Sequence, residues 1–240
     1  VNELATEIVS NFPDRFGALA FLPQFDVDAA TEEAIYALDT LSMDGIGLNA
    51  SATNLYLGAE EYDPLMTVLN VHNTVVLIHP TAPFYFTELN LDLRPSVIEY
   101  VFESTRAIAN LIVSGTLERY PNIRFISPHA GGAAPYLAAR IQEQAQRFDP
   151  SLETRLPRGI LESLKSFYFG TAQATSVYAL KSLLELVDPS RILFGTDLPV
   201  SPPALVEDSD RVLNGYDGLT SDDLEQISSG NALELFPRFL

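Results

Sequence analysis

Two patterns of apolar and polar positions alternate along this chain. Short continuous apolar runs read as strands buried on both faces, and longer stretches with apolar residues every three or four positions read as helices packed against them. A polar, proline-containing turn, Asn11-Phe-Pro-Asp-Arg-Phe16, feeds a first strand over residues 17–22. Asp26 or Asp28 then serves as N-cap for a helix carrying Ala29, Ala30, Ala34, Ile35, Leu38 and Leu41 at helical spacing, ended by Asp44-Gly45. A strand at 45–49, a polar loop through Thr53 and Gly58, a helix at 63–72 and a strand at 75–79 follow. That strand stops on His79, and a long loop, Thr81-Ala-Pro-Phe-Tyr-Phe86 onward to Pro95, precedes a helix at 96–115. The spacing gives this helix a buried face of Val97, Tyr100, Val101, Ser104, Ile108, Leu111 and Ile112.

The second half repeats the unit. A strand beginning at Ile123 stops on His129, and Gly131-Gly132 lets the backbone turn tightly into a helix at 133–148. Residues 149–159, with two prolines and mixed charge, form an excursion. Then come a strand at 167–171, a helix at 176–187 broken by Asp188-Pro189, a strand over 191–197 that ends on Asp197, and one or two closing helices within 219–235. About six βα units in one domain, 1–240, predict a parallel sheet. Two architectures hold such a sheet: a doubly wound open sheet, or a TIM-type (β/α)8 barrel whose first two units lie upstream of Val1. Neither a glycine-rich dinucleotide fingerprint nor a P-loop follows the first strand, which favours the barrel.

Composition narrows the function. A net charge of −18 over 240 residues excludes a nucleic-acid or anionic-membrane partner, since either needs a basic face. With no cysteine, disulfides and thiolate metal sites are excluded. No apolar run is long enough to span a bilayer and no signal peptide is visible, so a soluble, cytoplasmic protein is expected. The chemistry is concentrated at strand ends: His79, His129 and Asp197 close three parallel strands at the carboxyl edge, where α/β folds place their active sites. His72, in a helix-to-strand turn, reads as a capping residue, Arg140 as an ion-pair partner, and the stretch from Glu207 to Asp210 as a solvated face. Asp197 could instead cap a following helix, and the aromatic loop Phe84-Tyr-Phe86 reads first as packing on its own barrel and second as a lid.

His79-Pro-Thr-Ala-Pro83, Ser127-Pro-His-Ala-Gly-Gly132, Leu193-Phe-Gly-Thr-Asp-Leu-Pro199 and Asn231-Ala-Leu-Glu-Leu-Phe236 together resemble the amidohydrolase-related family. The resemblance is to its branch of aminocarboxymuconate semialdehyde, γ-resorcylate and 6-methylsalicylate decarboxylases, and it covers nearly the whole chain. It implies a barrel holding one divalent ion, zinc first and manganese second, with a His-x-His or Glu-x-His pair on strand one. It also implies His79 as the strand-five ligand, Asp197 as the strand-eight ligand, His129 as the catalytic histidine and Asp197 as handler of the transferred proton. The strands present are then strands three to eight. The sequence holds only three histidines and no His-x-His or Glu-x-His at a strand end, so the strand-one ligands are absent from it.

The implied function is a metal-dependent nonoxidative carboxy-lyase acting on a small aromatic acid such as a 2-hydroxybenzoate, in an enzyme that forms a homodimer. Two alternatives stand beside it: a metal-dependent hydrolase of a lactone or amide on the same scaffold, and a noncatalytic remnant lacking the strand-one ligands.

Overall fold

Strand Val75–His79 shows how the sequence builds the molecule. In the computed structural model, which describes residues 1–240, Val76 and Ile78 join the large core beneath the helices, while Val75 packs on the opposite face with Leu77. The two-residue period of a strand then puts His79 on the face of Val75 and Leu77. The eight strands in chain order are β1 (Leu19–Phe21), β2 (Gly45–Asn49), β3 (Ser51–Ala52), β4 (Leu55–Tyr56), β5 (Val75–His79), β6 (Arg124–Ser127), β7 (Tyr168–Gly170) and β8 (Ile192–Leu193). Six of them form one parallel sheet in the order β1-β2-β5-β6-β7-β8, and β3 pairs antiparallel with β4 in what the sequence presents as a loop. Register aligns Ile46 with Val76, Val76 with Phe125, Ile126 with Tyr168 and Phe169 with Ile192, and it sets Asn49 level with His79.

Twelve α-helices join these strands: α1 (Asn2–Asn11), α2 (Val27–Ile35), α3 (Asp63–Val71), α4 (Pro95–Val113), α5 (Thr116–Arg119), α6 (Ala134–Phe148), α7 (Leu152–Arg155), α8 (Ile160–Lys165), α9 (Val177–Leu184), α10 (Pro203–Asn214), α11 (Ser221–Glu225) and α12 (Asn231–Leu235). Their starts follow local chemistry. The Asp26 carboxylate accepts from the Ala29 N–H at α2, Ser176 caps α9, and Thr220 with Asp223 closes a capping box at α11. Helices α1, α7, α8 and α10 are absent from the sequence-based expectation: α1 precedes the Asn11 turn, α7 falls inside the 149–159 excursion and α8 directly after it. Helix α10 begins at the pair Pro202-Pro203, and proline at a helix's first position is a start signal as well as a breaker.

Helix α4 departs from its expected face. Val97 is exposed, whereas Glu99 and Glu103 are buried beside Ser104, Ile108, Leu111 and Ile112. Glu103 is tolerated because its carboxylate accepts from Ser51 Oγ at 3.0 Å, Tyr56 Oη at 2.6 Å and the Arg106 guanidinium at 2.7 Å. A buried charge so satisfied escapes the desolvation cost that the hydrophobic pattern assumes.

The sheet curls. Ala18 and Leu19 at its first edge and Leu193 and Phe194 at its last line the same cavity, although β1 and β8 are not paired. The inner face is filled at the amino end by the C-terminal segment, where Ala232, Leu235 and Phe236 pack on Val75, Ile126, Leu193 and Tyr168. Asn231, buried, holds this segment in place by donating from its amide to the carbonyls of Ile192 at 2.7 Å and Pro189 at 2.9 Å. No helix is long and apolar enough to cross a membrane.

Candidate active site

Inside the curled sheet a largely apolar cavity of about 420 Å³, with Leu77, Ile126 and Leu193 on its wall, runs from Ala18, Asp44 and Phe236 at the amino end to the carboxyl ends of the strands. His79, His129 and Asp197 all line it. The three arrive differently. His79 is the last residue of β5, but His129 stands two residues beyond β6 and Asp197 four beyond β8. The run 194–197 is therefore a turn and not the strand end that its apolar pattern predicts. Phe194 N–H bonds the carbonyl of Ile227 instead of extending the ladder.

These turns are left-handed. His129 has φ 54°, Ala130 53°, Gln173 52° and Asp197 59°, so three neighbouring strand ends each set a residue other than glycine in the αL region. Each such residue costs on the order of 1 kcal/mol, a strain that concentrates where a side chain must be aimed. After His129 the chain needs glycine. Gly131 and Gly132 have φ of 74° and 66°, and a Cβ on Gly132 would sit 2.0 Å from the carbonyl oxygen of Val101 in α4.

Burial lowers the pKa of His129 below the ordinary imidazole value; the Asp197 carboxylate pulls it back up and the neighbouring His79 pushes it down. His129 is thus a neutral imidazole at pH 7. Its Nδ1 is buried with no partner in the chain, a deficit worth about 1–3 kcal/mol. The Asp197 carboxylate accepts one hydrogen bond, from Gln173 Nε2 to Oδ2 at 2.6 Å, and the same amide donates to Ser201 Oγ at 3.1 Å. Gln173 and Ser201 carry no motif; a glutamine just past β7 is the sole trace they leave in the sequence.

The other expectations resolve simply. His72 follows α3 with both ring nitrogens engaged, Nδ1 with the Val68 carbonyl at 2.8 Å and Nε2 with Asp39 at 3.0 Å. Arg140 is exposed and makes no ion pair, contrary to expectation: even Glu143, three residues on along the exposed side of α6, does not close on it. Asp197 caps no helix, since α10 starts six residues later. Phe84 and Tyr85 meet edge to face at 5.2 Å, with Tyr85 against Arg106, and none of the loop 84–86 lines the cavity.

Imidazole and carboxylate are the donor types for a divalent transition ion. The structure, however, holds no group of three or more such side chains arranged as a metal site. His79 and Asp197 fit in kind and fall short in number, since catalytic sites commonly draw three ligands from protein.

A family model described as amidohydrolase matches residues 1–238. The chain belongs to the amidohydrolase family. Within it, the 6-methylsalicylic acid decarboxylase of Penicillium expansum is 35% identical over 240 residues, covering 99% of this chain and 74% of that protein. A solved structure of an amidohydrolase II superposes with a TM-score of 0.90 at 25% identity, over 98% of this chain and 75% of the other. A dihydroxybenzoic acid decarboxylase from Polaromonas sp. JS666, solved with bound manganese and the inhibitor 2-nitroresorcinol, has the same fold at a TM-score of 0.85 and 24% identity, over 98% and 73% of the two chains. The amidohydrolase barrel accounts for the parallel sheet and for the site at its carboxyl ends.

Proposed function

We propose that this amidohydrolase-family protein catalyses nonoxidative decarboxylation of a small aromatic acid, with a 2-hydroxybenzoate as the substrate type. One observation carries the reading: two histidines and an aspartate converge on a largely apolar cavity of about 420 Å³. That volume falls within the range of roughly 300–1,000 Å³ usual for small-molecule sites. The apolar walls suit a flat ring, and His79, His129 and Asp197 at the carboxyl ends of the strands suit its carboxylate.

The reaction consumes one proton and releases one carbon dioxide. The proton adds to the ring carbon bearing the carboxylate, the carbon–carbon bond then breaks, and its electron pair restores the aromatic ring. Asp197 is the group proposed to deliver that proton. Neutral His129, with one N–H and one lone pair, is the group proposed to pass a proton from solvent to Asp197. His79 and Asp197 are the donors this chain would supply to a divalent ion, manganese or zinc. Such an ion, when bound, polarises carboxylate and phenolate oxygens.

The test is incubation of the purified chain with 6-methylsalicylate and 2,6-dihydroxybenzoate, with and without added manganese, following carbon dioxide and the ring product. Decarboxylation is expected to yield 3-methylphenol and resorcinol in step with carbon dioxide and without oxygen uptake. His129→Asn and Asp197→Asn are each expected to slow it by about 100-fold or more. Opening of an aromatic lactone without carbon dioxide would replace this reading by a hydrolase. Inactivity toward both classes would make the chain noncatalytic as it stands.

A further inference from the structure

We infer that Gln173 is a positioning residue that fixes the Asp197 carboxylate, acting as a neutral clamp from outside the cavity; the inference rests on the decarboxylase reading for its kinetic part only. Gln173 is not among the residues lining the cavity that Asp197 lines. Gln173 is exposed, and its amide crosses the gap between the turns after β7 and β8 to reach Asp197. Those turns are themselves tied together. Thr171 N–H donates to the Leu193 carbonyl at 2.9 Å, and Gly195 N–H donates to Thr171 Oγ1 at 3.1 Å.

A closed ring of interactions results. Gln173 Nε2 donates to Asp197 Oδ2 at 2.6 Å and to Ser201 Oγ at 3.1 Å, and Ser201 N–H donates back to the Asp197 carbonyl at 2.7 Å. Ser201 is 2% exposed, so the anchor of the ring is buried. Asp197 Oδ1 takes no hydrogen bond from the chain, and Oδ2 takes only this one. Without Gln173 the carboxylate has no side-chain or backbone donor to set its rotamer. Both ends of the contact lie in αL backbone, Gln173 at φ 52° and Asp197 at φ 59°; Gln173 itself is exposed and Asp197 half-buried, so the anchor of the contact is the buried Ser201.

The amide's neutrality also matters. Arginine or lysine here would hold Asp197 equally well, but would compensate its charge and compete with a cation or a substrate proton. An amide orients the carboxylate and leaves its charge available to the cavity. The chemistry of a group that must meet one ring carbon is sensitive to such orientation: misplacement by an ångström costs on the order of 100-fold in rate.

The experiment compares the full chain with Gln173→Met, which keeps length and removes the donor, and with Ser201→Ala and the double variant. Decarboxylation kinetics on 6-methylsalicylate, thermal midpoints and crystal structures are measured for all four. Gln173→Met is expected to lower kcat roughly 10- to 100-fold with KM within about threefold. Its thermal midpoint should stay close to that of the parent, and its Asp197 carboxylate should occupy more than one rotamer where the parent shows one. Ser201→Ala should act in the same direction more weakly, and the double variant should be no worse than Gln173→Met alone, because both substitutions break one ring. A Gln173→Met variant whose kcat stays within twofold, or whose Asp197 keeps a single unchanged rotamer, overturns the inference. If the parent chain itself fails to decarboxylate, the proposed function falls and the rotamer comparison alone decides on Gln173.

Discussion

Two of the three histidines of this chain are set in opposite states by burial and partners. His129 is kept neutral by burial, beside a carboxylate and a second imidazole in the cavity. His72 is the opposite case. The Val68 carbonyl, first, and the Asp39 carboxylate, after burial's opposing pull, raise its pKa, because two acceptors on two ring nitrogens are both satisfied only by the imidazolium. A group whose pKa is raised on folding adds stability that is fully present below the unfolded value of about 6.5 and fades as pH rises through the folded value. Unfolding midpoints in urea should therefore fall from pH 6 to pH 8.5 by an increment that His72→Gln removes, worth less than about 1 kcal/mol because Asp39 is largely exposed. A pH dependence identical in both proteins would show that another group is responsible. The sequence makes His79, His129 and Asp197 legible because each ends or closely follows an apolar run. It leaves Gln173 and Ser201 illegible because their contacts cross from one βα unit to the next, and no periodicity records such a crossing.

At the scale of elements, most strands and helices follow from periodicity, and the failures have physical causes. The buried Glu103, midway along α4, joins the expected face of Ser104, Ile108, Leu111 and Ile112, since a polar cluster from β3, β4 and the helix itself satisfies it. Strand β8 is two residues long although the apolar run continues, because the chain turns toward Ile227 at Phe194. The turn from β6 to α6 is the most constrained joint. Gly132 combines φ 66° with ψ −126°, a region closed to side chains, and its α carbon faces the Val101 carbonyl with no room for a methyl group. Gly132→Ala is expected to lose about 2–5 kcal/mol, the sum of backbone strain and overpacking, read as a lower denaturant midpoint at unchanged slope. Because His129 lies three residues upstream in the same turn, any folded fraction should also show a displaced His129. A variant with parental stability would mean that the turn relaxes, and that the left-handed run is not what aims the histidine.

At the scale of the whole chain, the C-terminal segment links the β8 end of the curled sheet to the β1 end. Asn231 fastens the segment to the β8 end, Leu235 and Phe236 cover the inner face, and Arg238 reaches the β1 end. There the Arg238 guanidinium pairs with the Asp44 carboxylate and donates to the carbonyls of Pro13 at 3.0 Å and Phe16 at 2.7 Å. Asp44, 8% exposed at its side chain, also accepts the Ala18 N–H at 2.8 Å just before β1. One arginine thus ties the chain's last residues to its first strand, across a cavity that Ala18, Leu19, Phe236 and Phe239 all line. Arg238→Ala should cost about 1–3 kcal/mol, because Asp44 keeps its burial and loses its cation. Arg238→Lys should fall between, keeping the charge while losing the planar fork that serves a carboxylate and two carbonyls at once. The cavity should register the same loss: affinity for 6-methylsalicylate, measured by calorimetry well below the unfolding transition, should weaken for Arg238→Ala even though Arg238 is not among the residues lining it. If stability falls while affinity holds, the strap supports the fold alone. If neither changes, Asn231 and the packing of Leu235 and Phe236 are enough to keep the sheet curled.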